Sequence, residues 1–337
     1  MSPKHTLTIL PALLVYTLTL AQTGDWSVRR TFPIHSAGGW DYITVSPLSN
    51  RLYVSHGTRV NILDRNSGDS VGVITGTTGV HGITFAPDVN KGFISNGRRN
   101  NVFVFDGRTD LITDSIATGA DPDAMCYDGY SHRLVVGNGR SNNLTVINAK
   151  DNSVAGTVPL DGAPEASVSN GSGKVYVNIE DRNEVEVLDV QALKITARYP
   201  LNGGEEPTGI AYDRKTETLF VGCGNSKLVV LDASTGKQKG LLPIGQHCDG
   251  VAFDATTGDV LAAGGGGTLT VIRGDKNGKT YSVTATVPTL RSARTLAVDE
   301  HTHLVYLPAA DFEPAADPKE RPRMIPGSFR VLEVGKR

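Results

Sequence analysis

A short apolar triplet recurs along almost the whole chain, and few folds accommodate so regular a beat. It reads Leu52-Tyr53-Val54, Gly92-Phe93-Ile94, Leu134-Val135-Val136, Val175-Tyr176-Val177, Leu219-Phe220-Val221, Val260-Leu261-Ala262 and Val305-Tyr306-Leu307. Its middle positions lie 40, 42, 41, 44, 41 and 45 residues apart. A second run follows each triplet, for example Val60-Asn61-Ile62-Leu63-Asp64, Val185-Glu186-Val187-Leu188-Asp189 and Phe329-Arg330-Val331-Leu332-Glu333. Such short, β-branched runs bounded by Gly, Asn, Asp and Ser are strands between turns. No segment of helical length carries a 3.6-residue apolar period. Four short strands in about 42 residues make one propeller blade. Seven triplets therefore predict an all-β, seven-bladed propeller.

The two ends fit that count. Several blades close on a strand ending in proline plus an aliphatic residue, such as Val158-Pro159-Leu160 and Leu242-Pro243-Ile244. Proline suits an outer edge because its missing N–H costs no ladder bond there. The seventh blade has no such strand after Glu333, whereas Trp26 to Ile34 supplies one at the other end. The N-terminal strand is thus expected to complete the last blade, making residues 22–337 a single domain. One spacing departs from the pattern: 60 residues separate Arg273 from Glu333, where other second runs are 41 to 43 apart. The excess falls in a proline-rich loop, residues 308–328, expected to be a lid, a partner surface or a tolerated insertion.

Residues 1–21 read as a signal peptide, with Lys4 ahead of an apolar run from Leu7 to Leu20 and small residues up to Ala21. The run is short for a membrane span. The expected location is periplasmic or secreted, with no span after cleavage. Three cysteines are too few to staple a fold. Cys126 falls in an expected strand and Cys223 and Cys248 in expected loops, so a Cys223–Cys248 bridge and three free thiols both stay open. With 33 Lys+Arg against 35 Asp+Glu, the net charge of −2 disfavours nucleic acid as a partner. A closed ring hides its strand edges, so a monomer is expected.

The Tyr-Val triplets, the Val-x-Val-Leu-Asp runs and blade entries such as Gly162-Ala163-Pro164 resemble the YVTN β-propeller repeats of the YncE-like proteins, across residues 24–337. Gly264 to Gly267 and Arg273, which stands in place of the usual acid, depart from that pattern. The resemblance implies the propeller but not one activity, since propellers of this shape include binding proteins, lactone-hydrolysing enzymes and redox-cofactor domains.

In a meander blade, the loops entering the inner strands and those joining strands two and three share one face. Sites are built on such loops. The entries bring Trp40, Asp41, His81, Asp123, Glu165, Thr208, His247, Asp249 and Arg294 to the channel mouth. These groups either cap strands beside a wet channel or hold a ligand. No cofactor is predicted, although imidazole and carboxylate could ligate a divalent metal there. Arg98, Arg99, Arg140 and Arg182, from one loop of successive blades, are either ordinary surface or a crescent for an anion. His301 and His303 fall on the other face, and His35 and His56 read as solvated loop residues.

The expected function is a binding or interaction scaffold for a small polar or anionic ligand or an extracytoplasmic protein. The alternative, implied by the resemblance, is a lactonase-like hydrolase or isomerase. In that version His81, Glu165 and His247 serve as base or metal ligands and Arg294 stabilises charge. No Gly-x-Ser-x-Gly elbow, phosphate loop or Cys-x-x-Cys-His haem motif is present.

Overall fold

The computed structural model describes residues 25–314 and 322–337. The signal-peptide segment lies outside the described residues. Seven four-stranded antiparallel sheets radiate from a common axis, numbered here as blades 1 to 7. The inner strands are Trp40–Val45, Val80–Ala86, Pro122–Asp128, Pro164–Ser169, Pro207–Asp213, Cys248–Asp254 and Ala297–Asp299. Each touches the next, and the last returns to the first, which closes the ring.

The recurring triplets occupy the second strands, such as Arg51–His56 and Lys174–Ile179, and the following runs occupy the third. A strand deep in a blade has another blade on each side, so both of its faces are apolar and the run is continuous rather than alternating. The outer strands face solvent and keep few buried residues each, such as Ile74, Ile116 and Val158. The apolar core is accordingly divided into seven clusters, one in each cleft between neighbouring blades. The triplet tyrosines clamp these clefts. Tyr53 packs edge-on to Phe85 and reaches Asp110 Oδ1 of blade 2 at 2.6 Å, and Tyr176 donates to the Ala233 carbonyl of blade 5 at 3.0 Å.

The seam falls where the sequence placed it. Strand Trp26–Pro33 pairs antiparallel with the chain's last strand, Arg330–Lys336, in the register Trp26↔Lys336 to Pro33↔Arg330. Two details differ from expectation. Pro308 belongs to the second strand of blade 7, Leu304–Ala309, so the long loop starts after it. Cys223 ends a strand and Cys248 begins one; both thiols are buried, and all three cysteines are free. No helix among the described residues is long and apolar enough to cross a membrane.

Candidate functional site

In six blades the pairing between inner and second strands slips just after the first inner residue, as between Trp40 and Ile43 or Pro122 and Met125. A bulge of this kind re-aims a side chain out of the regular ladder. The residue at the slip is Asp41, His81, Asp123, Glu165, Thr208 and Asp249 in blades 1 to 6. Blade 7 has no strand there, but counting back from Ala297↔Tyr306 against Thr44↔Tyr53 makes Arg294 the equivalent residue. One position per blade thus gives a ring of seven side chains: four carboxylates, one imidazole, one hydroxyl and one guanidinium.

Five of the seven form a continuous arc. Arg294 Nε donates to Asp249 Oδ2 at 2.5 Å, and its Nη2 lies 3.3 Å from Asp41 Oδ1. The other oxygen of Asp41 accepts from His81 Nδ1 at 2.8 Å, and Asp123 Oδ1 stands 3.6 Å beyond that nitrogen. Glu165 has no ionic partner within reach among the described residues. Thr208 turns its hydroxyl to the Cys248 carbonyl at 2.6 Å, locking blade 5 to blade 6. Thr295 does the same to the Asp41 carbonyl across the closing cleft, at 2.5 Å.

The acid excess shows in the proton affinities. Burial, then the charges of Asp123, Glu180 and Asp249, push the Glu165 carboxyl up to about 9. Burial and the charge of Asp41 raise Asp123 to about 7 against the pull of His81. Burial works to lower His81, but its bond to Asp41 and the charges of Asp123, Asp41 and Asp121 outweigh that and raise it to about 9. Burial also raises Asp249, against the attraction of Arg294.

Tyr42 is the residue that sequence reasoning missed. Its phenol is pushed well above the ordinary range by burial and by the charges of Asp123, Asp41, Glu165 and Asp249, which places it among the ring carboxylates. The signal was available. The corresponding position is small in the other blades (Gly82, Ala124, Ala166, Gly209, Gly250 and Thr295), so a tyrosine there fills channel space that the others leave open.

Other expected site residues stand apart from the ring. His247 precedes Asp249 by two residues, in a left-handed turn with φ of 55°, is exposed, and joins no cluster of metal-ligating groups among the described residues. Trp40 is buried beneath the long loop, its ring 6.0 Å from Phe312 and 5.0 Å from Phe329. The arginine crescent does not converge. Arg140 pairs with Asp121 at 3.1 Å, Arg182 donates to the Asp161 carbonyl at 2.9 Å, and Arg99 lies over the Phe103 ring of its own blade. Arg98 is exposed beside Gly79.

His56 is corrected outright: it is fully buried. It bonds Ser36 Oγ through Nδ1 at 2.6 Å and the Gly38 carbonyl through Nε2 at 2.7 Å, and stacks on Phe329. Burial lowers its proton affinity, as suits a neutral structural imidazole. His303 is on the far face, as expected, paired with Asp254 at 2.7 Å. The described part of the long loop forms a small ladder, with Phe312 bridging Met324, anchored by a two-bond pair between Arg330 and Asp311 at 2.8 Å.

Neither a protein-family model nor a curated protein matches the chain. Solved propellers do. U3-55K superposes with a TM-score of 0.78 at 12% identity, covering 93% of this chain and 99% of its own. The WD40 repeats of RRP9 give the same score and identity over 94% of this chain and 99% of theirs. The likeness is one of fold. It supports the seven-bladed propeller and does not single out the YVTN repeat family.

Proposed function

We propose that this propeller is an exported binding scaffold whose ligand or partner protein presents a cationic group to the channel mouth. The ring composition carries the reading: four carboxylates face one guanidinium and one imidazole, an acid excess that keeps Glu165 protonated until a cation arrives to take the place of that proton. Complementary charge at a mouth of this kind supplies specificity and steers association. The anionic part of the sequence expectation, a small polar or anionic ligand or a partner protein, draws on arginines that are spread over the rim, three of them engaged with their own neighbours. The repeats resemble those of the YVTN propellers, and the apolar segment before Ala21 supports a periplasmic or secreted location.

Agmatine, a small dication, is the probe. The melting temperature rises with agmatine and not with citrate, and Glu165→Gln removes most of that rise. Stabilisation by citrate alone would overturn the reading.

A hydrolase reading keeps one specific support. Glu165 is held protonated near neutral pH, as a general acid must be. It predicts turnover of a chromogenic lactone that Glu165→Gln abolishes without lowering the melting temperature; a propeller inert to a lactone panel removes it.

A further inference from the structure

We propose that Asp41, His81 and Asp123, from blades 1, 2 and 3, form a binding site for one borderline divalent metal ion such as Zn²⁺ or Co²⁺. This rests on the reading of the ring as a cation site and narrows it to three of its seven members.

The donor atoms are already gathered. One oxygen from each aspartate and a ring nitrogen of His81 lie within 4.8 Å of one another. His81 Nδ1 is the middle atom, 2.8 Å from Asp41 Oδ2 and 3.6 Å from Asp123 Oδ1. Metal bonds of about 2.0–2.2 Å in tetrahedral array need donors about 3.4 Å apart, so the ion enters with small side-chain shifts. Asp123 Oδ1 gives the independent sign: it is buried and has no hydrogen-bond partner. A buried polar atom left unpaired costs free energy, which an ion or a water at this position would relieve. One nitrogen and two carboxylate oxygens suit borderline cations and leave a fourth position open to the channel.

The groups behind the donors are also in place. Asp41 Oδ1, the oxygen turned away from the imidazole, is steadied by Arg294. His81 Nε2 and Asp121 Oδ1 both crowd the space that a Cβ on Gly97 would occupy, at 2.9 and 2.5 Å. Glycine at 97 therefore leaves room for the imidazole, and any larger residue there would push His81 out of its place in the ring. The Asp123 carbonyl is held by Ser95 Oγ at 2.7 Å.

The other carboxylate cluster, Asp161, Glu184 and Glu186, makes an instructive contrast. The Arg198 guanidinium already occupies it, with Nε 2.7 Å from Asp161 and 3.1 Å from Glu186. A fixed cation sits there, so no metal is required.

The test titrates the untagged, chelator-treated protein with Zn²⁺ by calorimetry and with Co²⁺ by visible absorption. One ion per chain is expected, with Co²⁺ bands showing a nitrogen ligand. Asp123→Asn and His81→Gln, each checked for an unchanged circular dichroism spectrum, lose saturable binding, while the far-face variant His303→Ala retains it. Saturable binding that survives in both Asp123→Asn and His81→Gln, or equal loss in His303→Ala, would overturn the three-residue site. No metal binding alongside a normal agmatine response would overturn the metal site alone; loss of both would remove the cation reading with it.

Discussion

The two faces of the propeller treat repetition differently. On the face away from the channel mouth, the turn after the third strand is solved in nearly the same way several times. Asp64, Asp106, Asp189 and Asp232 each use Oδ1 to accept the N–H groups two and three residues ahead. On the channel-mouth face the repeated backbone position is filled by Asp, His, Asp, Glu, Thr, Asp and Arg in turn. Where a turn must simply be made, the same side chain is reused. Where equivalent positions diverge in chemistry, the backbone is no longer the reason for the choice, and a ligand is the natural one.

That contrast breaks or holds on three substitutions. Arg294→Ala has the largest effect: it strands Asp249 without a countercharge, leaves Asp41 with His81 alone and costs about 2 kcal/mol after allowing for solvent screening, read by chemical denaturation. Glu165→Gln moves the opposite way, raising stability on the order of 1 kcal/mol at pH 7. The sign follows from linkage. The folded protein holds the Glu165 proton up to about 9 against an ordinary value of 4.5, so wild type loses stability as pH climbs between those values. The advantage of the glutamine variant therefore opens across that window and closes below it; a gap independent of pH would break the assignment.

Asp232→Ala has the smallest effect, a loss of about 1 kcal/mol from the turn. Its carboxyl is held well below the ordinary 3.8 by Ser234, with burial opposing and Thr235 and Lys239 assisting. Its stabilisation is thus present above 3.8 and lost as pH falls, so the variant and wild type converge in acid. Matching alanine variants at Asp64 and Asp106 shift stability in the same direction, and a stabilising result at either would show that the far face is less uniform than its hydrogen bonds suggest.

The blades, their strand order and the seam were legible in the sequence because each rests on local pattern: β-branched runs, turn residues and a fixed period. The ring was legible too, since bulge positions recur with the blades. What escaped depends on contacts between distant parts of the chain. His56 reads as a loop residue until Ser36 and Phe329, from opposite ends of the chain, enclose it. His247 differs from the ring residue of its blade by two positions, and only the slipped register distinguishes the channel from the rim. Trp40 looked available until the loop base, far along the sequence, covered it.

The seam has a mechanical consequence. Because Trp26 pairs with Lys336, the first and last described residues, Asp25 and Arg337, stand at the same end of one antiparallel ladder. Tension between the termini therefore loads a single rung at a time and peels the first strand away like a zipper, instead of shearing all its rungs together. The element that completes the circle in solution is the one that yields first under pull, and an attachment through only one terminus would spare it.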